Sequence, residues 1–268
     1  MRLRPLEIGD LLDETFRMYR RHFFLFAGIS VILSIPLAAG AGFSFFALFN
    51  NLAQQSTSAQ PPDLGPTLAS LAVVLVLVVV LYPLLYGSIT YAACESALGH
   101  PVTFWGAMGA AFNRYLQILG YFLLLFGMGL LFCVFPLWIW IGVRWIAWMP
   151  AMFVENIGLG AALGRSWRLI EGRWWRTFLI LFLMYILIQV VASALQAFLF
   201  LGQLLLQAFV SSYLSIAISE ATGILVSSLV APILQIATVL IYLDLRVRRE
   251  GLDLFQLAQR VGTAPPAA

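Results

Sequence analysis

The chain has 268 residues, 62% of them hydrophobic and 10% charged, with a mean hydropathy of +0.95. Soluble domains run at about 45–50% apolar and about 25% charged, so a water-soluble globule is excluded, as are disordered and collagen-like chains. Every one of the 15 Lys-plus-Arg positions is Arg, set against 12 acids. An excess of +3 is too small to point to nucleic acid, so placement matters more than the sum.

The N-terminal stretch carries Ile8, Leu11, Leu12, Phe16, Tyr19 and Phe23 at helical period, with Asp10, Asp13 and Glu14 early and Arg17, Arg20 and Arg21 late. That order suits the helix dipole, and Asp13 and Arg17 form an i,i+4 pair. The spacing predicts an amphipathic helix lying in the membrane plane, its apolar face in the acyl boundary and its arginines at headgroup phosphates. Four acids precede the first apolar run, which is far longer than a signal-peptide core, so the segment reads as an uncleaved anchor.

A spanning helix needs about 20 mainly apolar residues. Phe23–Phe49 and Leu68–Ala93 qualify. Leu116–Val154 is too long for one span and divides at Phe135-Pro136 into two short helices. A fifth span runs from Trp174-Trp175 to about Phe200, and a sixth from about Gly223 to Leu243. Between those two, Gln203, Gln207, Ser211, Ser215 and Ser219 recur every four positions, which predicts an amphipathic helix over Leu201–Ser219 along the outer interface. With six spans, every arginine except Arg144 falls on the side of the N-terminus, which places both termini in the cytoplasm of a cell (inner or plasma) membrane. Trp105, Trp167, Trp174 and Trp175 then mark the inner interface, and Trp138 and Trp140 the outer one.

The chain also aligns with itself. IGDLLDETFRMYRRHFF (Ile8–Phe24) matches LGAALGRSWRLIEGRWW (Leu159–Trp175) without gaps, and FWGAMGAAFNRYL (Phe104–Leu116) is a weaker third copy. The expected fold is an all-α integral membrane protein whose six transmembrane helices form three repeats of an in-plane amphipathic helix plus a transmembrane hairpin. The units cover about 5–93, 100–155 and 157–245 of a single polytopic domain (1–250), followed by a short cytoplasmic tail at 251–268.

LRPLEIGDLLDETFRMYRRHF near the start, MPAMFVENIGLGAALGRSWRLIEGRWWR in the centre and LIYLDLRVRREGLDL near the end resemble prokaryotic multi-spanning proteins related to the membrane domain of glycerophosphoryl diester phosphodiesterases. The resemblance runs from Leu3 to about Leu257. In two-part members of that family the membrane domain is fused to a soluble barrel that cleaves glycerophosphodiesters. The stretch after Leu245 is too short for such a barrel, so the resemblance implies the membrane module without the enzyme and transfers no catalytic residue.

The residues themselves suggest no catalytic, cofactor or metal site. His22 and His100 stand in no metal-binding or catalytic spacing, and neither GxSxG nor a P-loop is present. Cys94 and Cys133 read as reduced packing residues. Gly127-x-Gly129 and Ala38-xxx-Gly42 suggest close helix packing, while Pro36, Pro83 and Pro150 are kink positions. Two constellations stand out. Arg144, seven residues into the fourth span, needs polar company; either it forms a buried polar layer with Tyr185, Gln189 and Gln235, open to an anionic headgroup or solute, or it snorkels to the outer interface. At the inner face Glu95, Glu155 and Asp244 close the three hairpins near Arg17, Arg114 and Arg168, where ion pairs would pin the amphipathic helices. The expected function is a non-enzymatic module organising lipids or partner proteins at the cytoplasmic face. Its partners would be the bilayer, anionic headgroups and a membrane or cytosolic protein, with no nucleic acid. The alternative is a transporter or lipid-handling protein built around Arg144.

Overall fold

A computed structural model of the chain describes residues 7–56, 65–129 and 135–251. The expectations for Cys133, Asp63, Arg2, Arg4, Arg260 and the tail beyond Gly251 lie outside the described residues. Within them there are ten helices and no strand: α1 (Ile8–Arg21), α2 (Phe23–Ser56), α3 (Gly65–Leu98), α4 (Phe104–Asn113), α5 (Tyr115–Gly129), α6 (Phe135–Trp145), α7 (Trp148–Val154), α8 (Leu159–Ile170), α9 (Trp174–Leu206) and α10 (Ser212–Glu250).

Helix α10 lies at the centre. Its inner half is buried almost without interruption from Val230 to Leu245, and α2 packs along it most extensively, followed by α9, α3 and α1. Gly42 explains the closeness of α2. A side-chain carbon there would stand 3.0 Å from the Ala217 carbonyl oxygen and 3.3 Å from Ala221, so the small residue is required, as the Ala38-xxx-Gly42 spacing suggests. Gly127 is different. Among the described residues nothing lies within 4 Å of its would-be side chain, so none of them packs closely against it.

Each short helix has a local reason to exist. In α1 the Asp10 carboxylate reaches back to the Glu7 N–H (3.5 Å), and Arg20 and Arg21 occupy the last turn. Arg17 pairs with Glu14 at 2.6 Å rather than with the expected Asp13. Thr103 caps α4 by accepting the Gly106 N–H. The apolar stripe of α1 does not lie free for lipid: Leu11 and Thr15 are fully buried, and α1 packs against α10. Tyr19 donates its hydroxyl to the Leu229 carbonyl of α10, three residues before Pro232. The in-plane helix resting in the acyl boundary is therefore corrected to one sealed by protein.

Five stretches are long and apolar enough to cross a bilayer: Phe23–Gln54, Gly65–Leu98, Leu137–Val154, Trp174–Leu206 and Ser212–Glu250. Tyr115–Met128 is a shorter apolar helix. The chain is thus a multi-pass, all-helical membrane protein. Two details of the sequence reading change. Leu137–Val154 is broken at Ile146-Ala147 into α6 and α7. The interfacial helix over Leu201–Ser219 does not form: 201–206 extend α9, 212–219 begin α10, and Gln207–Ser211 turn between them. Its polar stripe faces its own hairpin instead, where Ser219 donates to Gln203 (2.9 Å) and Ser215 is fully buried.

Candidate functional site

The ends of α7, α8 and α10 and the start of α9 bring most of the charges together. Glu155, just past α7, accepts two hydrogen bonds from Arg165 on α8 (2.9 and 3.0 Å) and one from the Tyr242 hydroxyl (2.8 Å). Arg165 also pairs with Glu250, and Arg246 bridges Glu250 (3.1 Å) and Tyr242 (3.2 Å). Burial would lower the Arg165 pKa, but the hydrogen bonds to Glu155 and Glu250 raise it above its ordinary value. One turn away Asp244, 2% exposed, holds Arg176 at 2.6 Å and Arg248 at 2.9 Å. These contacts tie α8 to α7 and α10, and α9 to α10.

Beside that network the cations outnumber the acids. Arg173, the residue before α9, donates to the Arg248 carbonyl (3.3 Å), and Arg249 donates to the Glu171 carbonyl. Among the described residues neither guanidinium meets a carboxylate, and the buried Nη1 of Arg173 has no hydrogen-bond partner. Burial, then the neighbouring Arg248 and Arg249, hold the Arg173 pKa below its ordinary value. A hollow of about 200 Å³ with Arg17, Arg21, His22 and His100 in its walls lies between α1 and the end of α3. Around this end Phe24, Trp105 and Trp175 stand largely exposed, as aromatic anchors at a membrane–water boundary do.

The expected inner-face pairs are redistributed. Glu95 meets His100 at 2.6 Å, and Glu155 and Asp244 take Arg165, Arg176, Arg246 and Arg248. Arg17 serves its own helix, and Arg168 is exposed. Arg114 instead clamps the turn between α7 and α8, donating to the Asn156 side chain and to the Ile157 carbonyl (2.7 Å). Asn156 has φ +54°, a left-handed conformation that Asn tolerates better than most residues. The missed partners had a signal in the sequence: Asp244–Arg248 and Arg246–Glu250 both stand at i,i+4 on the last helix.

The polar layer around Arg144 does not assemble. The Arg144 guanidinium lies between the Trp140 and Trp167 rings, 5.2 and 4.8 Å from their centroids, and donates to the Trp167 carbonyl at 3.5 Å. Ser166 fastens the same place, donating to the Arg144 carbonyl (2.8 Å) and accepting the Ala147 N–H (3.1 Å). Gln235 lies elsewhere, against Thr90 on α3 (3.2 Å), while Tyr185 and Gln189 are exposed on α9. The broken helix is the reason: α6 stops at Trp145, so Arg144 reaches α8 rather than the middle of α9. Trp140 moves with it. It accepts from Trp174 (3.2 Å) and packs edge-on to Trp167, so it joins the tryptophans assigned to the inner interface rather than the outer one.

No group of three or more His, Cys, Asp and Glu side chains is gathered as metal ligands among the described residues. A family model, the membrane domain of glycerophosphoryl diester phosphodiesterase, matches residues 118–250. Over those residues the chain is similar to this membrane domain. The match begins in α5 and ends with α10, so it takes in Arg144, the Glu155–Arg165 and Asp244–Arg176 pairs and Arg173, and is narrower than the resemblance from Leu3 to Leu257. It concerns the membrane part of such enzymes and not their catalytic part. No curated protein and no solved structure matches the chain.

Proposed function

We propose that the chain is a non-enzymatic membrane module that gathers anionic lipid headgroups at its arginine-rich end. The order α1 then α2–α3, α4 then α5–α7, and α8 then α9–α10 supports three units of short helix plus hairpin. The arginine-rich end faces the cytoplasm, because positive charge collects on that side of bilayers. The observation that carries the proposal is Arg173 with Arg249: two guanidinium groups at the α9 boundary that, among the described residues, hydrogen-bond main-chain carbonyls and no carboxylate, with Arg173 crowded by Arg248 and Arg249. A phosphate would relieve that crowding, and guanidinium binds phosphate oxygens two at a time. Each arginine near an anionic surface contributes about 1 kcal/mol. Partner proteins could dock on the same exposed arginines, Arg168 among them.

Native mass spectrometry of the purified protein from nanodiscs of phosphatidylglycerol or phosphatidylcholine tests this. Phosphatidylglycerol should be retained selectively, and Arg173→Gln with Arg249→Gln should lower its retention about tenfold. Equal retention by the wild type and the double variant would defeat the proposal.

A further inference from the structure

A cavity of about 960 Å³ opens between the outer half of α9 and the α2–α3–α10 bundle. Its place follows from helix geometry. Gln196, on its α9 wall, lies 22 residues beyond Trp174, about 33 Å along the axis at about 1.5 Å per residue. A hydrocarbon core is about 30 Å thick. If Trp174 marks the arginine-side boundary, as the proposed function has it, the cavity mouth stands at the headgroup level of the opposite leaflet. Its inner end, walled by the buried Leu37 and Leu85, reaches into the hydrocarbon.

The polar lining is not explained by the fold. On the mostly apolar outer half of α9, Ser193, Gln196 and Gln203 fall three and seven residues apart, which puts them on one face, and that face looks across the cavity at Ser219 and Ser227 of α10. Some of these groups satisfy themselves: Ser193 donates to the Val190 carbonyl (3.0 Å), and Ser219 joins Gln203 across the gap. Gln196 does not. Its amide, with two N–H donors and a carbonyl, is exposed at the cavity and has no hydrogen-bond partner among the described residues, so beside hydrocarbon it calls for a partner from outside the chain.

The chemistry of the walls selects the occupant. Among the described residues no Arg or His lines the cavity, and the only charged group there is the Glu220 carboxylate, which repels phosphate. Amides and hydroxyls both donate and accept, so their natural complement is another hydroxyl. The volume is at the upper end for small-molecule pockets and exceeds what a headgroup alone needs. We infer that this cleft binds a lipid with an uncharged, hydroxyl-bearing headgroup from the leaflet opposite the arginines, its acyl chain lying along Leu37 and Leu85. The site is separate in place and in charge preference from the arginine-rich end.

The test uses the full chain in nanodiscs doped with monooleoylglycerol or with phosphatidylglycerol, and reads retained lipid by native mass spectrometry. Gln196→Leu with Ser227→Leu removes the polar face. Gly223→Leu plugs the cavity at a position with nothing within 4 Å of the added carbon, so it blocks without a clash if the double variant does not fold. Monooleoylglycerol should be retained by the wild type and reduced about tenfold by either change, with thermal stability in detergent preserved. Monooleoylglycerol retention that ignores both changes would overturn the inference, and so would phosphatidylglycerol retention that depends on Gln196 and Ser227. Arg173→Gln with Arg249→Gln should leave monooleoylglycerol untouched, so failure at one end is distinguishable from failure at the other.

Discussion

Arg144 shows how one residue's context decides its role. Its charge looks costly when counted along an unbroken span, but two indole faces and a main-chain carbonyl receive it. Each cation–π contact contributes about 0.5–1 kcal/mol at an exposed site and about 2 where water is excluded. Arg144→Gln should therefore lower the thermal midpoint in detergent, by about 1–2 kcal/mol of stability. Arg144→Lys should recover only part of it, because an ammonium cannot stack flat between two rings. A midpoint unchanged in both variants would remove the clamp from the account. Asp244 presents the sharper case. It is 2% exposed and holds two arginines, so Asp244→Asn leaves both without their countercharge, at a cost of about 3–5 kcal/mol. Glu95→Gln should matter far less, since its partner His100 is largely exposed and surface pairs contribute about 0–1 kcal/mol. Parallel thermal melts of the two variants separate them, and equal losses would contradict the assignment.

Among the elements, the α2–α10 seam and the α5 hairpin make opposite predictions for the same kind of substitution. Gly42→Leu drives a side chain against the Ala217 carbonyl and Ala221 and should cost about 1–3 kcal/mol. Gly127→Leu meets open space and should be neutral. Thermal melts of the two variants check this, and a neutral Gly42→Leu would mean the seam is looser than the structure has it. The contrast also marks what was legible beforehand. Hydropathy located α2, α3, α9 and α10, because lipid imposes a long apolar run on any such helix, and the 3.6 period located α1. The self-match located α8 and suggested α4. The α6–α7 break and the fate of 201–219 were not legible. Both depend on tertiary partners: Ser166 holding the Arg144 carbonyl and Ala147 N–H, and Ser219 meeting Gln203 across the hairpin. A four-residue polar repeat fits a helix facing water as well as one facing a neighbouring helix, and sequence alone cannot separate them. The acids were legible as a set but their partners were not. Nearness to an arginine along the chain says little about which one the packed helices bring within 3 Å.

For the whole molecule the charge distribution is the governing feature. Apart from the carboxylate of Glu220, the described charges gather toward one end, where acids tie α8 and α9 to the central α10 while Arg173 and Arg249 donate to main-chain carbonyls. The other end presents amides and hydroxyls around a cleft. Binding of anionic vesicles should accordingly weaken as salt is raised, because screening shortens to about 3 Å at 1 M, whereas monooleoylglycerol retention should be insensitive to salt. A salt-insensitive response from anionic vesicles would argue against headgroup capture by arginine.

The central claim is that a bilayer separates these two ends, with the arginines inside. Membrane-impermeant thiol labelling of intact cells tests it most directly, with Cys94 and Cys133 replaced by Ala and a single cysteine placed at Ser212 or at Arg168, both exposed. The account predicts labelling of Ser212→Cys from outside, and labelling of Arg168→Cys only after the membrane is opened. Labelling of Arg168→Cys in intact cells would contradict it.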